Sequence, residues 1–149
     1  IKKQLINQMK IKRLESEQEW EQVMQLRQEV FVKEQGVPPE LELDGKDSSA
    51  VHFLVLVEAE IVGTCRLRSK NKVGKVERMA VKKEFRNQGM GSQLLKHVVQ
   101  FAEAEGLAKL TLHAQKQAVG FYQQQGFEIT SSEIIQEAGI DHFQMAQEL

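Results

Sequence analysis

"VKKEFRNQGMGSQLLKHVV", residues 81–99, is the stretch on which the reading of this chain turns. An apolar strand end, Met79-Ala80-Val81, runs into Lys82, Lys83 and Arg86; Gly89 and Gly91 follow with one residue between them. Leu94, Leu95, Val98, Val99 and Ala102 then recur at helical spacing, so a helix opens at Gly89 or Gly91. Gly106 closes it as a left-handed C-terminal residue. An arginine and two glycines at a strand-to-helix turn suit a phosphate. Glycine admits positive φ and close backbone approach, and the first N–H groups of a helix lack internal partners in a region the helix dipole makes positive. A plain turn with its lysines on a solvated face fits the same spacing, and the glycines alone do not choose. A Walker A loop is excluded because no G-x-x-x-x-G-K-[ST] run exists, and a dinucleotide fingerprint because Leu94 stands where the third glycine is needed.

Upstream, residues 10–14 read as a first strand, and Ser16 with Glu19 forms a capping box for a helix. Trp20, Val23, Met24, Val30 and Phe31 carry that helix to Gly36, and Pro38-Pro39 ends it in an acidic loop over 38–50. Residues 51–58, 61–68 and 75–81 read as three strands, the first two as a hairpin. Downstream come a strand over 108–114, a helix over 118–125 ended by Gly126, and extended pieces around 127–129 and 142–146. The pattern is one mixed α/β unit, with strands grouped early and strand–helix alternation later. With 149 residues and no linker or repeat, a single domain over 9–149 is expected, preceded at 1–8 by an extension or cloning remnant.

The net charge of −1 argues against bulk nucleic-acid or membrane binding, so an anion site has to be local. Cys65 is the only cysteine, which rules out an internal disulfide, makes a cytoplasmic location the expectation, and reads as a small core residue. No apolar run reaches the ~18 residues of a membrane span.

Residues 78–95, "RMAVKKEFRNQGMGSQLL", with "AVGFYQQQGF" at 118–127, resemble the GNAT superfamily of N-acetyltransferases. The front, "LRQEVFVKEQGVPPELELDGKDSSAVHF" (26–53), and the tail, "EAGIDHFQM" (137–145), resemble its ElaA-like bacterial branch. The resemblance implies a central mixed sheet flanked by helices, with strands 75–81 and 108–113 splayed around acetyl-CoA. It implies that the backbone of Met79, Ala80 and Val81 holds the pantetheine arm. The amides from Gln88 through Gly89, Met90 and Gly91 to Ser92 would take the pyrophosphate, with Arg86 nearby. Gln115 stands where many members carry asparagine; the amide is kept but its reach differs. The activity implied is direct acetyl transfer to a primary amine, on a small-molecule or peptide acceptor, with no metal; many relatives pair, so a homodimer is one expected assembly.

Such a transfer needs a base for the amine, donors for developing negative charge and a proton for the departing thiolate. Tyr122, the only tyrosine, stands where the family places its acid, although its residue type alone fits equally a ring packed on the helix's inner face. Met79 or Val81 N–H is a candidate oxyanion donor. Glu77 and His113 compete as base; strand alternation sends only one of Glu77 and Arg78 inward. Glu42, Asp44 and Asp47, with Arg27 and Arg66 in the same half, are candidate acceptor-binding residues, while loop capping and a structural Arg27 pairing are the alternatives. "LRQEVF" with "ELELDGKD" also resembles acyl-homoserine-lactone synthases, and a non-catalytic CoA-binding module on the same scaffold is a third reading.

Overall fold

The computed structural model describes residues 8–149, so all of the expected N-terminal extension except Gln8 lies outside it. Strands β1 (Met9–Arg13), β2 (Val51–Val57), β3 (Glu60–Lys70), β4 (Val73–Val81), β5 (Lys109–Gln115), β6 (Glu128–Glu137) and β7 (Ile140–Glu148) form one mixed sheet. Their order is β1-β2-β3-β4-β5-β7-β6. The helices are α1 (Glu17–Arg27), α2 (Pro39–Glu42), α3 (Met90–Ala104) and α4 (Val119–Gln124).

Two apolar layers clasp the sheet. Leu94, Leu95, Val98 and Ala102 of α3 pack with Phe53, Val55, Val62, Leu67 and Leu112 on one face. Val23 and Leu26 of α1 pack with Leu54, Ile61 and Ala80 on the other. Burial on both faces is why β2 reads as an unbroken apolar run, whereas β5, with Leu110, Leu112 and Ala114 buried, alternates. The Ser16 cap forms as expected: its hydroxyl accepts from Glu19 N–H at 3.2 Å. Glu19 answers by accepting from Glu15 N–H at 2.8 Å.

Three expected elements differ from those observed. The first helix does not run regularly to Gly36; after Arg27 it widens into a π-helical stretch over Gln28–Glu34. The wider turn keeps Val30 in the core while Phe31 and Gln35 reach a cavity wall. The acidic loop contains the short helix α2. The C-terminal pieces extend into a full β6–β7 hairpin turned by Ala138 (φ 53°) and Gly139 (φ 76°), both left-handed as a two-residue turn requires.

The feature that makes a site lies between β4 and β5. These neighbours run parallel, and their pairing is limited to Val73–Lys109, Gly74–Leu110 and Lys75–Thr111. Beyond Lys75 and Thr111 the strands part, as the resemblance implies. A Cβ on Gly74 would come within 2.7 Å of Leu110 Cδ2, so the close approach before the parting depends on glycine.

Candidate active site

A cavity of about 1050 Å³ fills the gap between the parted strands. One wall is the β5-facing edge of β4, which has lost its ladder partner. Lys82 N–H donates to the Val62 carbonyl at 2.8 Å, so Lys82 and Ala80 face β3, and alternation turns the backbone of Val81 and Met79 into the gap. Met79 and Val81 line the cavity; Ala80 is buried against β3 and does not. The expectation of an Ala80 backbone contact is corrected by this alternation.

The floor of the cavity is the start of α3. Asn87 (φ 62°) and Gly89 (φ 84°) are both left-handed, folding the chain into a cradle ahead of the helix. The first helical hydrogen bond runs from Gln93 N–H to the Gly89 carbonyl at 3.0 Å. The N–H groups of Met90, Gly91 and Ser92 therefore have no partner within the helix, and no acidic side chain occupies its first turn. Gly91 is tight as well as open: a Cβ there would lie 3.3 Å from the Phe121 ring. Gln88 keeps off the wall, its amide donating to the Glu84 carbonyl at 3.2 Å. Arg86 lines the cavity but is already engaged. Its Nε donates to the Val81 carbonyl at 2.8 Å and its guanidinium pairs with Glu34 at 2.9 Å, so it braces the loop against the π-helical stretch.

Gln115 ends β5 on the same wall, donating to Gln35 Oε1 at 3.0 Å across the mouth of the cavity. Tyr122 of α4 is buried between Phe121 and Phe127 and still lines the cavity. Burial pushes its phenol up from its ordinary range.

The acidic loop is not free to bind a cation. Arg27 Nε donates to Glu42 Oε1 at 2.6 Å and its Nη1 to Asp47 Oδ1 at 2.8 Å. Arg66, 0% exposed, donates to Asp44 at 2.6 Å, Asp47 at 2.9 Å and Glu77 at 3.0 Å. The Arg66 hydrogen bond holds the Asp44 carboxyl well below the ordinary carboxylate range. Arg27, Asp47 and Arg66 stand behind the wall, not on it, which corrects their expected place among acceptor-binding residues. They order the loop; Glu42 and Asp44 line the cavity with their charges already paired.

The alternation expected at Glu77 and Arg78 also fails. Arg78 adopts φ 56° where the β3–β4 register shifts between Thr64 and Arg66, a bulge that aims both side chains at the same cluster. Arg78 Nη2 reaches Asp44 at 3.3 Å, and Glu77 receives Arg68 Nε at 2.6 Å as well as Arg66. Burial would raise the Glu77 carboxyl, but the Arg68 hydrogen bond and the charges of Arg66 and Lys75 outweigh it and hold it at about 2. A carboxylate so stabilised is a weak base.

His113, at the open end of β5, faces the cavity with its Nδ1 on the Glu137 carboxylate at the end of β6. The sequence does not single out Glu137, because the hairpin that carries it reads there as two separate extended pieces. The "EAG" at its turn was the available signal. His142 also lines the cavity, its Nδ1 2.8 Å from the Ile140 carbonyl.

The model of the acetyltransferase (GNAT) domain matches residues 10–149. This chain belongs to the GNAT acetyltransferase family. A Bacillus subtilis relative, "uncharacterized N-acetyltransferase YjcF", is 37% identical over 133 residues, covering 89% of this chain and 95% of that protein. Among solved GNAT structures, Escherichia coli ElaA superposes with a TM-score of 0.84 at 27% identity, over 94% of this chain and 99% of that one. A GNAT acetyltransferase from Elizabethkingia anophelis, solved with acetyl-CoA bound, has the same fold (TM-score 0.73, 24% identity, 96% and 99% covered). Like its relatives, this GNAT chain is an acyltransferase by family. Among the described residues no helix is long and apolar enough to cross a membrane.

Proposed function

We propose that this protein transfers an acetyl group from acetyl-CoA directly to a primary amine in the cavity between β4 and β5. The observation that carries this reading is the conjunction at that cavity of unpaired N–H groups at the start of α3, the open β4 edge and the Tyr122 ring. The residues present fit such a ligand. The amides of Met90, Gly91 and Ser92 suit a diphosphate, and the cleft edge at Met79 and Val81 suits the amide-bearing arm as an added strand. The relative solved with acetyl-CoA supports the same choice.

When bound, acetyl-CoA supplies the activated thioester; the chain's residues orient it and move the protons. The Val81 or Met79 N–H faces the gap and is placed to donate to the carbonyl oxygen as it gains charge. His113 takes the proton that the attacking amine releases, and Glu77, fixed by Arg66 and Arg68, does not compete for it. Tyr122 hands its phenolic proton to the departing sulfur and recovers one from solvent. Protons balance: one leaves the amine through His113, and one reaches the sulfur through Tyr122.

The first test is a thermal melt with acetyl-CoA. Ligand at 100 times its dissociation constant adds about 2.7 kcal/mol, which raises the midpoint by several degrees in a domain of this size. Gly89→Asp, which sets a charged side chain on a left-handed position of the cradle, abolishes the shift. A wild-type protein that does not shift ends the CoA reading. An amine panel followed by thiol release then identifies the acceptor. A response to acylated carrier protein with S-adenosylmethionine in place of acetyl-CoA would favour the lactone-synthase reading.

A further inference from the structure

We infer that Glu137 is a positioning residue: it fixes the tautomer of His113 so that a bare Nε2 lone pair is presented to the acceptor amine. The inference rests on the proposed role of His113 as base. The pair is built from separate elements. His113 stands near the C-terminal end of β5, where β4 has already parted from it, and Glu137 closes β6 at the hairpin tip, 24 residues on. The two strands are not neighbours, since β7 lies between them, so the contact exists only because the Glu137 side chain reaches over β7 to the cavity.

The chemistry of the contact decides the proton's place. A carboxylate accepts hydrogen bonds and does not donate them, so the imidazole nitrogen facing it carries the hydrogen. That nitrogen is Nδ1. In the neutral ring Nε2 is then unprotonated, the form able to take a proton. The other charged or titratable groups on the cavity wall are Lys75, Glu77 and Arg78 from β4, Glu42, Asp44 and Lys46 from the acidic loop, Arg86 before α3, Tyr122 from α4 and His142 from β7. Glu77 is committed to Arg66, Arg68 and Lys75, and His142 turns its Nδ1 to the Ile140 carbonyl. Among the described residues, Glu137 is the one side chain that hydrogen-bonds or ion-pairs with the His113 ring.

The experiment compares wild type, Glu137→Gln and Glu137→Asp. Long-range proton–nitrogen NMR of the His113 ring reports which nitrogen carries the hydrogen, without substrate and without turnover. Wild type is expected as the Nδ1–H tautomer. In Glu137→Gln the side-chain amide can donate to Nδ1, and the ring is expected to move its hydrogen to Nε2. With that, kcat falls about tenfold or more, while KM for acetyl-CoA and the acetyl-CoA melting shift stay as in wild type. Glu137→Asp restores the tautomer and part of kcat. An Nε2–H ring in wild type, or a Glu137→Gln protein with unchanged tautomer and unchanged kcat, overturns the inference. His113→Ala separates the two claims. Full activity in that variant removes the base assignment and any catalytic consequence of Glu137, whatever the tautomer measurement gives. A large loss there with no tautomer change in Glu137→Gln removes the role of Glu137 alone.

Discussion

Tyr122 is held between Phe121 and Phe127 on the cavity wall, and burial raises the cost of ionising it. The ring therefore keeps its proton across the working range, as the acid role proposed for it requires. Tyr122→Phe removes the hydroxyl and keeps the ring's packing. It is expected to lower kcat by about a hundredfold or more with little change in KM for acetyl-CoA or in melting temperature, as steady-state kinetics and calorimetry will check. Because the shift is upward, the rate should show no alkaline fall from loss of this proton below about pH 10. The role proposed for Tyr122 is legible in sequence only through its place in "AVGFYQQQGF"; residue type alone fits a core ring equally. The burial that raises its phenol comes from neighbours such as Phe127, which a single position does not reveal.

At the scale of the elements, the loop over 38–50 is held to α1 and β3 by guanidinium–carboxylate contacts whose cations, Arg27 and Arg66, are almost wholly buried. Removing Glu42 leaves the buried Arg27 guanidinium with Asp47 as its one remaining carboxylate among the described residues. Glu42→Ala is expected to destabilise the fold by about 3–5 kcal/mol, read from urea denaturation, and to loosen the loop first. The same contacts set the acid limb of stability. Asp44, Asp47 and Glu77 titrate lower in the folded chain than their ordinary values, so their contribution is complete above about pH 4.5. It is lost as pH falls toward the folded value of about 2 at Glu77. Unfolding free energy measured from pH 6 to pH 2 should drop steeply over that window.

These elements also show where the sequence stopped being readable. Strong periodicity places the start of α1, the whole of α3 and strands β2 to β5 within one or two residues of their observed bounds, but it does not show where α1 gives way to the π-helical stretch after Arg27. The acidic loop was visible as charge, but its partners were not, since pairing Arg66 with Asp44 takes a fold to bring residues 22 apart together. The bulge at Arg78 was hidden because nothing in "VERMAV" announces a non-glycine residue at φ 56°. The β6–β7 hairpin was hidden because β6 is an edge strand with few buried side chains, so it shows no apolar alternation.

On the whole-molecule scale, the sheet consists of a four-stranded part, β1 to β4, and a three-stranded part, β5, β7 and β6, sharing three pairs of residues at the closed end. Past that short seam, cohesion between the two parts falls to the helices and to side-chain bridges such as Gln35–Gln115. An acyl carrier lying in the opening would supply the rungs that the strands withhold from one another, and so would act as an eighth strand for as long as it stays. Deuterium uptake is then expected to slow on adding acetyl-CoA at the Met79 and Val81 amides, and also in β5 and β7, far from any phosphate. Release of the spent carrier would return the sheet to its looser, two-plate state, coupling each round of chemistry to a mechanical softening of the protein's centre.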